Sequence, residues 1–375
     1  MFVDGLLFLA LFPLLPVFAE RYDLSKVEAA LLLAGYQIAF VASAIPAGWL
    51  AGRFGARRVV IGGLVSFVAA AALFAVAPTF ALLLVARLLQ GVSGGTGWSA
   101  AMSWLTQNTA TGQRSRTVGL ISGISSAGAV AGPAVGALAV AIGVPLAFAL
   151  VGAAGAVALA LAIAAPAGRA EGPSPPLLAT SGRLIRHPTV LVALAFAGCT
   201  AAATATVDLL AVLELGARGV GATPIGVTIS TGAILGVAVG AVAGRIGERV
   251  GSFALCLAGG VGLALLAALL ALPLPTWALA LGLTAIGPLF PLMMTGIYPL
   301  IAAASDDLGL AHGTANGFVN ICWSVGTGAV PLIAAAIAEA AGDATAFLTA
   351  TATIAILLAI AVLMRARARN LSLSH

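Results

Sequence analysis

The chain has 375 residues, of which 61% are hydrophobic and only 8% are Asp, Glu, Lys or Arg. Soluble domains carry about 25% charged residues, so this composition excludes a water-soluble enzyme and indicates a protein whose solvent is lipid. The formal charge of +5 does not indicate nucleic-acid binding, because the arginines stand singly or in short groups between apolar runs, as topology signals do.

Twelve apolar runs follow one another along the chain, most of them near the ~20 residues that a membrane-spanning helix needs. The runs are residues 2–18, 29–51, 59–77, 80–104, 117–141, 145–165, 189–213, 223–243, 252–272, 276–303, 311–338 and 342–364. The sequence therefore predicts an all-α membrane protein with twelve transmembrane helices.

The first run is short, because a helix from Phe2 to Phe18 would be about 25 Å long against the ~30 Å hydrocarbon layer. No basic residue precedes it, and we interpret it as a first helix that lacks an N-terminal extension. A signal peptide is the alternative, and the missing basic region and cleavage site argue against it.

A polar stretch broken by prolines separates the sixth run from the seventh. Residues 166–188 contain Gly-Arg-Ala-Glu-Gly-Pro-Ser-Pro-Pro and are interpreted as a cytoplasmic linker. The predicted organisation is an N-terminal six-helix half at 1–165, this linker, and a C-terminal six-helix half at 189–375.

Basic residues predict the orientation of the runs in the membrane. With both termini in the cytoplasm, all but four of the seventeen Lys and Arg residues lie inside. Arg21, Lys26 and Arg218 lie outside, and Arg87 lies within a span. Because cytoplasmic loops carry an excess of basic residues, we expect a multi-pass protein of a bacterial-type inner membrane with both termini in the cytoplasm.

A short cationic hinge joins the second and third runs, and a degenerate copy recurs in the second half of the chain. The copies read Gly48-Trp49-Leu50-Ala51-Gly52-Arg53-Phe54-Gly55-Ala56-Arg57-Arg58 and Gly240-Ala241-Val242-Ala243-Gly244-Arg245-Ile246-Gly247-Glu248-Arg249. Gly55 and Gly247 are each predicted to make a backbone turn that is closed to other residues. The repeated hinge indicates an internal duplication, which is the build of many secondary transporters.

Three further motifs stand on the predicted helices. They are Asp4 with Pro13 and Pro16, then Ala86-Arg87-Leu88-Leu89-Gln90-Gly91, then Gly128-Ala129-Val130-Ala131-Gly132-Pro133-Ala134-Val135-Gly136. With the first hinge copy, they resemble the motifs of the major facilitator superfamily, and in particular its twelve-helix drug:proton antiporter branch. The resemblance covers nearly the whole chain and implies two pseudo-symmetric six-helix bundles.

The chain departs from the family pattern at two kinds of position. The family hinge, G-x-L-A-D-R-x-G-R-R, has an Asp that helps latch the cytoplasmic side shut, and Gly52 and Gly244 stand in its place. Either the latch is weaker here or another group replaces it. Vesicular amine transporters have acidic residues where Met294 and Asn320 stand, which argues against amine neurotransmitters as substrates.

Asp4 is the candidate coupling residue. An ionised carboxylate inside a membrane costs several kcal/mol, about 2.5–3.5 at a helix centre, so it must face a cavity, pair with a cation or be protonated. Burial disfavours the charged form and a bound cation favours it, so a proton and a cationic substrate compete for the same oxygens. The alternative is a carboxylate at the cytoplasmic interface.

Arg87, with Gln90 beside it, is the second candidate. In the family an arginine in this context faces the bundle interior and tunes proton exchange, whereas the alternative is a side chain that snorkels to the external surface. Asp208 lies about five residues before the end of the seventh run. It is either a second coupling residue or a solvated structural carboxylate.

The glycine motif of the fifth run predicts close packing. Gly128, Gly132 and Gly136 follow at i, i+4 and i+8 on one helix face, and Pro133 can bend the helix. We expect Gly132 and Pro133 to set how tightly this helix packs against the second half, and generic membrane packing is the alternative. The predicted conformational residues are Gly48, Gly52, Arg53, Gly55, Arg57, Arg58, Gly128, Gly132, Pro133, Gly136, Gly244, Arg245, Gly247 and Arg249.

The remaining cavity candidates are uncharged. They are Tyr36, Gln37, Asn320 and Trp323, each of which could equally be a helix–helix contact. No cofactor or metal is expected, because the chain has no GxxxxGK[ST] loop, its histidines stand alone and its three cysteines fall in different runs.

Together these features predict a proton-coupled secondary transporter, monomeric, that exports small hydrophobic or cationic molecules. The alternative within the family is a carrier of a polar metabolite such as a sugar or an organic anion. A receptor or assembly factor would need a sizeable soluble domain, and a channel is disfavoured by the two-fold repeat.

Overall fold

The structure is a computed structural model that describes residues 1–107, 109, 114–166, 182–183, 185–309 and 312–373. Within these ranges it contains twelve long helices and no β-strand. The helices are α1 (Phe2–Tyr22), α2 (Lys26–Phe54), α3 (Ala56–Val76), α4 (Phe80–Gln107), α5 (Arg114–Ile142), α6 (Val144–Ala164), α7 (Pro188–Ala217), α8 (Ala222–Val250), α9 (Ser252–Leu270), α10 (Thr276–Leu308), α11 (His312–Ala341) and α12 (Asp343–Leu373).

All twelve helices contain a stretch long and apolar enough to cross a membrane, which confirms the predicted all-α architecture. Their outward faces are apolar as well. Leu161 and Leu265, for example, are each 66% exposed. Large apolar side chains are exposed in this way on all of the helices except α7. They indicate a lipid solvent, because water would drive them into a core.

The chain divides into two compact units. The first unit consists of Met1–Ser174 with Gly219–Ser230, and the second consists of Pro175–Arg218 with Thr231–His375. The predicted linker falls mostly on residues 167–181, which lie outside the described residues, and the predicted division into halves stays a prediction.

The first helix is longer than the sequence predicted. It runs for 21 residues from Phe2 to Tyr22, about 31 Å, so the expectation of a short first span is wrong. The helix continues past the apolar run through polar residues and stops at Asp23, which takes the left-handed conformation at φ 50°. Ser25 and Glu28 then form a capping box that starts α2, with bonds of 3.1 and 2.9 Å.

The two hinge copies turn at different places. Gly55 has φ 88° between α2 and α3, as predicted. Gly247 makes no turn, because α8 continues to Val250 and the break falls at Gly251, with φ 87°. The prediction for Gly247 is therefore wrong by one helical turn. A helix interior accepts glycine, whereas a residue with positive φ is nearly always glycine. Between α8 and α9, the glycine with positive φ is Gly251, and Gly247 lies inside α8.

The glycine face of α5 packs against α1 within the first unit. A Cβ built on Gly132 would lie 2.7 Å from the Leu6 carbonyl oxygen, and the backbones of Phe2 and Ala10 crowd Gly128 and Gly136 in the same way. The expectation that Gly132 packs against the second half is therefore wrong, whereas Pro133 does meet a helix of that half: a Cβ built on Gly226 of α8 would lie 2.7 Å from the Pro133 carbonyl oxygen. The three glycines share one helix face, and that face is occupied by α1.

Candidate functional site

Asp4 and Tyr36 form a polar contact between α1 and α2. The Tyr36 hydroxyl donates a 2.9 Å hydrogen bond to Asp4 Oδ2. Asp4 Oδ1 is buried and has no hydrogen-bond partner in the described part of the chain. Gly94 of α4 lies against this pair, and a side chain there would overlap the Tyr36 hydroxyl. The carboxylate thus keeps one oxygen for a further partner.

Arg87 lies behind this pair and is fully buried, at 0% exposure, which excludes a snorkelling side chain. Its Nε donates to the Leu32 carbonyl oxygen at 2.8 Å, and its Nη1 donates to Gln90 Oε1 at 2.6 Å. The guanidinium lies 5.3 Å from the ring centroids of Phe8 and Tyr36. Tyr36 therefore contacts the carboxylate through its hydroxyl and the cation through its ring face.

Two buried nitrogens in this cluster are left without acceptors among the described residues. They are Arg87 Nη2 and Gln90 Nε2. The buried cation is therefore not neutralised by a direct ion pair, and nothing within hydrogen-bond distance in the described chain takes up its remaining donor. A charge held in this way responds strongly to the ionisation of a nearby carboxyl group.

Asp4 and Tyr36 line a cavity of about 570 Å³ within the first unit, with walls from α1 to α6. Its apolar walls include Phe40, Trp98 and Trp104, and Asp4 is the one carboxylic acid among the lining residues. The other lining residues are Met1, Phe2, Val3, Gly5, Val60, Gly63, Leu64, Ser93, Gly94, Gly97, Ala101, Ser125, Ala158, Leu161, Ala162 and Ala165.

The aromatic wall was missed by the sequence analysis. Gly94, Trp98, Ala101 and Trp104 follow one another at helical spacing on a single face of α4. That spacing was visible in the sequence, but it has no polar or charged residue to mark it as different from lipid-facing positions. Gln37, by contrast, is buried on α2 outside this cavity.

The candidates in the second unit lie apart from one another. Asp208 is half-buried on α7 and makes no hydrogen bond to a described residue. It stands nine residues before the helix end at Ala217, a distance of about 13 Å along the axis. The helix continues past its apolar run into a polar last turn, where Glu214 and Arg218 form an ion pair at 2.8 Å. The helix therefore extends four residues beyond the run that the sequence analysis used to place Asp208, and its role as coupling residue or structural carboxylate stays a prediction.

Trp323 and Asn320 are half-buried on α11. The Trp323 ring packs edge-on against Phe290 of α10 at 5.7 Å between centroids. Asn320 makes no hydrogen bond that joins it to this pair. The arrangement is an aromatic contact between two helices, and no ionisable side chain of the described chain is bonded to it.

The first hinge copy holds α3 to α6 within its own unit. Arg57 Nε donates to the Ala162 carbonyl oxygen at 3.0 Å, and its Nη2 donates to the Ile163 carbonyl oxygen. These are carbonyls of the last turn of α6, where a cation is favoured by the helix dipole. With Gly52 in place of a carboxylate, a backbone helix terminus binds the hinge arginine.

Metal ligation has no support in the described residues, which contain no cluster of three or more His, Cys, Asp or Glu side chains suited to a metal ion. Cys199, Cys256 and Cys322 are free thiols.

Comparison with known proteins agrees with this architecture. The family model described as Major Facilitator Superfamily matches residues 1–311. The MFS-type transporter ppzB of Metarhizium rileyi is 36% identical over 141 residues, which cover 36% of this chain and 29% of that protein. The Multidrug resistance protein B homolog of Mycobacterium tuberculosis is 32% identical over 120 residues, which cover 32% of this chain and 22% of that protein.

These curated relatives are thus matched over less than a third of their own length.

The fold is matched over almost all of the chain. A bacterial homolog to the human lysosomal transporter Spinster, solved in an inward-facing and unoccupied conformation, has a TM-score of 0.76 at 14% identity, covering 97% of this chain and 94% of that one. The solved structure shows the same fold. The family model covers most of the chain, and the chain therefore belongs to the Major Facilitator Superfamily.

Proposed function

We propose that the chain is a proton-coupled secondary transporter that exports small hydrophobic or cationic molecules by alternating access. The observation that carries the proposal is the cavity beside Asp4, whose walls are largely apolar and whose lining residues include one carboxylic acid, Asp4. Such a cavity favours an apolar body with a positive charge and disfavours an organic anion. The name of the Mycobacterium tuberculosis relative, a multidrug resistance protein, supports this substrate class.

Asp4 exchanges the proton for substrate in this mechanism. One carboxylate oxygen accepts from Tyr36, and the other is unpartnered. The free oxygen binds a proton or a substrate cation, but not both, because each neutralises the same charge. Binding of a cationic substrate therefore releases a proton, and reprotonation releases the substrate.

Arg87 tunes that exchange through Tyr36. The buried guanidinium of Arg87 lies over the Tyr36 ring, and the Tyr36 hydroxyl donates a hydrogen bond to Asp4. A fixed cation near a carboxyl group favours the ionised form, so Arg87 keeps Asp4 able to lose its proton inside an otherwise apolar unit. Gln90 fixes the guanidinium by accepting from Nη1.

The remaining parts of the proposal concern the membrane. The distribution of arginines supports a bacterial-type inner membrane with both termini in the cytoplasm, and we take the transporting unit to be a monomer. In this orientation Asp4 lies within the span, because its partner Tyr36 stands eighteen residues before the cytoplasmic end of α2 at Phe54. The cavity that it lines reaches Trp104 and Ala165, at the cytoplasmic ends of α4 and α6, the side from which an exporter takes up its substrate.

The test is substrate-induced proton release from the purified full chain in detergent, followed over pH. Tetraphenylphosphonium serves as the probe, as a hydrophobic cation. Asp4→Asn mimics the protonated state permanently, so we expect no proton release and at least tenfold weaker probe binding, the loss of about one charge–charge contact in a partly buried site. Asp4→Glu should retain part of both.

Asp208→Asn is the matched control, since it removes a carboxylate from a spanning helix of the second unit. We expect a milder loss, because no described residue is hydrogen-bonded to Asp208. Proton release by Asp4→Asn equal to that of the parent would overturn the proposal and make Asp208 the leading coupling candidate.

A further inference from the structure

Arg53, at the end of α2, is a cation held between two exposed aromatic side chains. Its guanidinium carbon lies 5.3 Å from the Trp49 ring centroid and 5.5 Å from the Phe54 ring centroid. Trp49 is 59% exposed and Phe54 is 47% exposed. The aromatic pair confines the charge to one place on the outer surface of the helix end.

No carboxylate of the neighbouring helices is available to neutralise this charge. Between Glu28 and Glu171 the sequence contains no Asp or Glu at all. Among the described residues, Arg53 makes no ion pair, and Arg58, on the other side of the Gly55 turn, is likewise exposed. Arg57 is already bound to the last carbonyls of α6. Two exposed guanidiniums are thus without an anion among the described residues.

The place of these groups specifies the kind of anion. Trp and Phe side chains exposed at the end of a spanning helix lie at the level of lipid headgroups, where aromatic rings are enriched. An arginine at that level meets phosphate oxygens, which it binds with two parallel hydrogen bonds. A protein carboxylate or a soluble anion would not contact the exposed Trp49 and Phe54 rings, whereas lipid acyl chains pack on them.

We propose that Trp49, Arg53, Phe54 and Arg58 form a binding site for the headgroup of an anionic phospholipid. Arg53 and Arg58 bind the phosphate, and the Trp49 and Phe54 rings contact the glycerol backbone and the upper acyl chains. The site is independent of proton coupling at Asp4.

The second hinge copy provides an internal control. Arg245 aligns with Arg53, but Ala241 and Ile246 stand where Trp49 and Phe54 stand in the first copy. An exposed Glu248 follows three residues later on the same helix, so that copy carries its own counter-charge. The proposal therefore assigns the lipid to the first copy and not to the second.

The experiment is native mass spectrometry of the purified, delipidated full chain titrated with dioleoyl phosphatidylglycerol. Dioleoyl phosphatidylcholine, with the same acyl chains and no net charge, is the reference lipid. We expect Arg53→Gln to weaken phosphatidylglycerol binding about fivefold, as one arginine near an anionic surface predicts, without changing phosphatidylcholine binding. Trp49→Ala, which keeps the charge, should weaken it about threefold.

Arg245→Gln is the matched variant and should change phosphatidylglycerol binding less than twofold, a smaller effect than one unpaired arginine gives. Unchanged lipid binding by Arg53→Gln, or an equal loss in Arg245→Gln, would overturn the proposal. A third arm adds free glycerol phosphate at the lipid concentration. Displacement of the lipid by it would show a site for soluble phosphate and overturn the lipid assignment. Thermal unfolding checks that the exposed substitutions leave the fold intact.

Discussion

The two units of the molecule use their buried polar residues in different ways. In the first unit, Asp4, Tyr36, Arg87 and Gln90 contact one another across α1, α2 and α4. In the second unit the buried polar side chains of the described residues are Ser and Thr hydroxyls. Three of them, Thr200, Thr204 and Ser305, return their hydrogen bonds to carbonyls one turn earlier in their own helices.

This contrast shows how similar compositions give different chemistry. A hydroxyl that donates to a carbonyl of its own helix has its hydrogen bond wherever that helix lies, so the bond does not depend on which helices pack against it. A buried guanidinium needs partners from other helices, so it fixes their positions and makes them sensitive to its charge. Among the described residues, the side-chain contacts that join buried charged and polar groups of different helices therefore lie in the first unit.

The largest expected effect comes from removing the buried cation. Arg87→Leu should abolish substrate-induced proton release and lower the free energy of unfolding by about 1–3 kcal/mol, because Gln90 loses its charged partner. Arg87→Lys keeps the charge but loses the planar geometry, so it should recover part of the coupling. Proton release and thermal unfolding of both variants in detergent measure the two effects.

Thr204→Val is the control from the second unit. It removes a buried hydroxyl that bonds to Thr200 within the same helix at 2.8 Å, and we expect a change of less than about 1 kcal/mol with normal proton release. Equal losses in Arg87→Leu and Thr204→Val would contradict the contrast between the units.

An effect on stability alone is expected where the units are alike, at their glycine crossings. A Cβ on Gly132 would lie 2.7 Å from the Leu6 carbonyl oxygen, and one on Gly232 would lie 2.7 Å from the Thr284 carbonyl oxygen. Gly132→Ala and Gly232→Ala should each destabilise the protein by about 1–3 kcal/mol, because the helices must separate. Thermal unfolding measures both losses.

Gly123→Ala is the matched variant for this pair, since it lies on α5 with nothing within 4 Å of the added Cβ. We expect no loss of stability there. Should Gly132→Ala unfold at the same temperature as Gly123→Ala, close packing of α1 on α5 would not contribute to stability.

The smallest expected effects are changes in stability of opposite sign in the two hinge copies. Gly55→Ala places a side chain at φ 88° and should destabilise the protein by about 1 kcal/mol. Gly244→Ala lies inside α8 with open space around the added Cβ, so it should stabilise by up to about 1 kcal/mol. Destabilisation by Gly244→Ala as large as that by Gly55→Ala would contradict the helical conformation of Gly244.

The sequence by itself determined the number and order of the spanning helices and the turn at Gly55. These features depend on local properties: the length of an apolar run, and a backbone angle that glycine alone adopts easily. It also singled out Asp4 and Arg87, because an ionisable side chain inside an apolar run is costly wherever the helix packs.

Only the tertiary structure decided which surfaces meet. The role of Tyr36 as the contact of both Asp4 and Arg87, the aromatic wall at Trp98 and Trp104, and the packing of Gly132 on α1 depend on neighbours far apart in the chain. In a soluble helix, the polar face marks the side exposed to water, and the apolar face is therefore the buried one. In lipid both faces are apolar, so side-chain shape and a few buried hydrogen bonds select the partner helix.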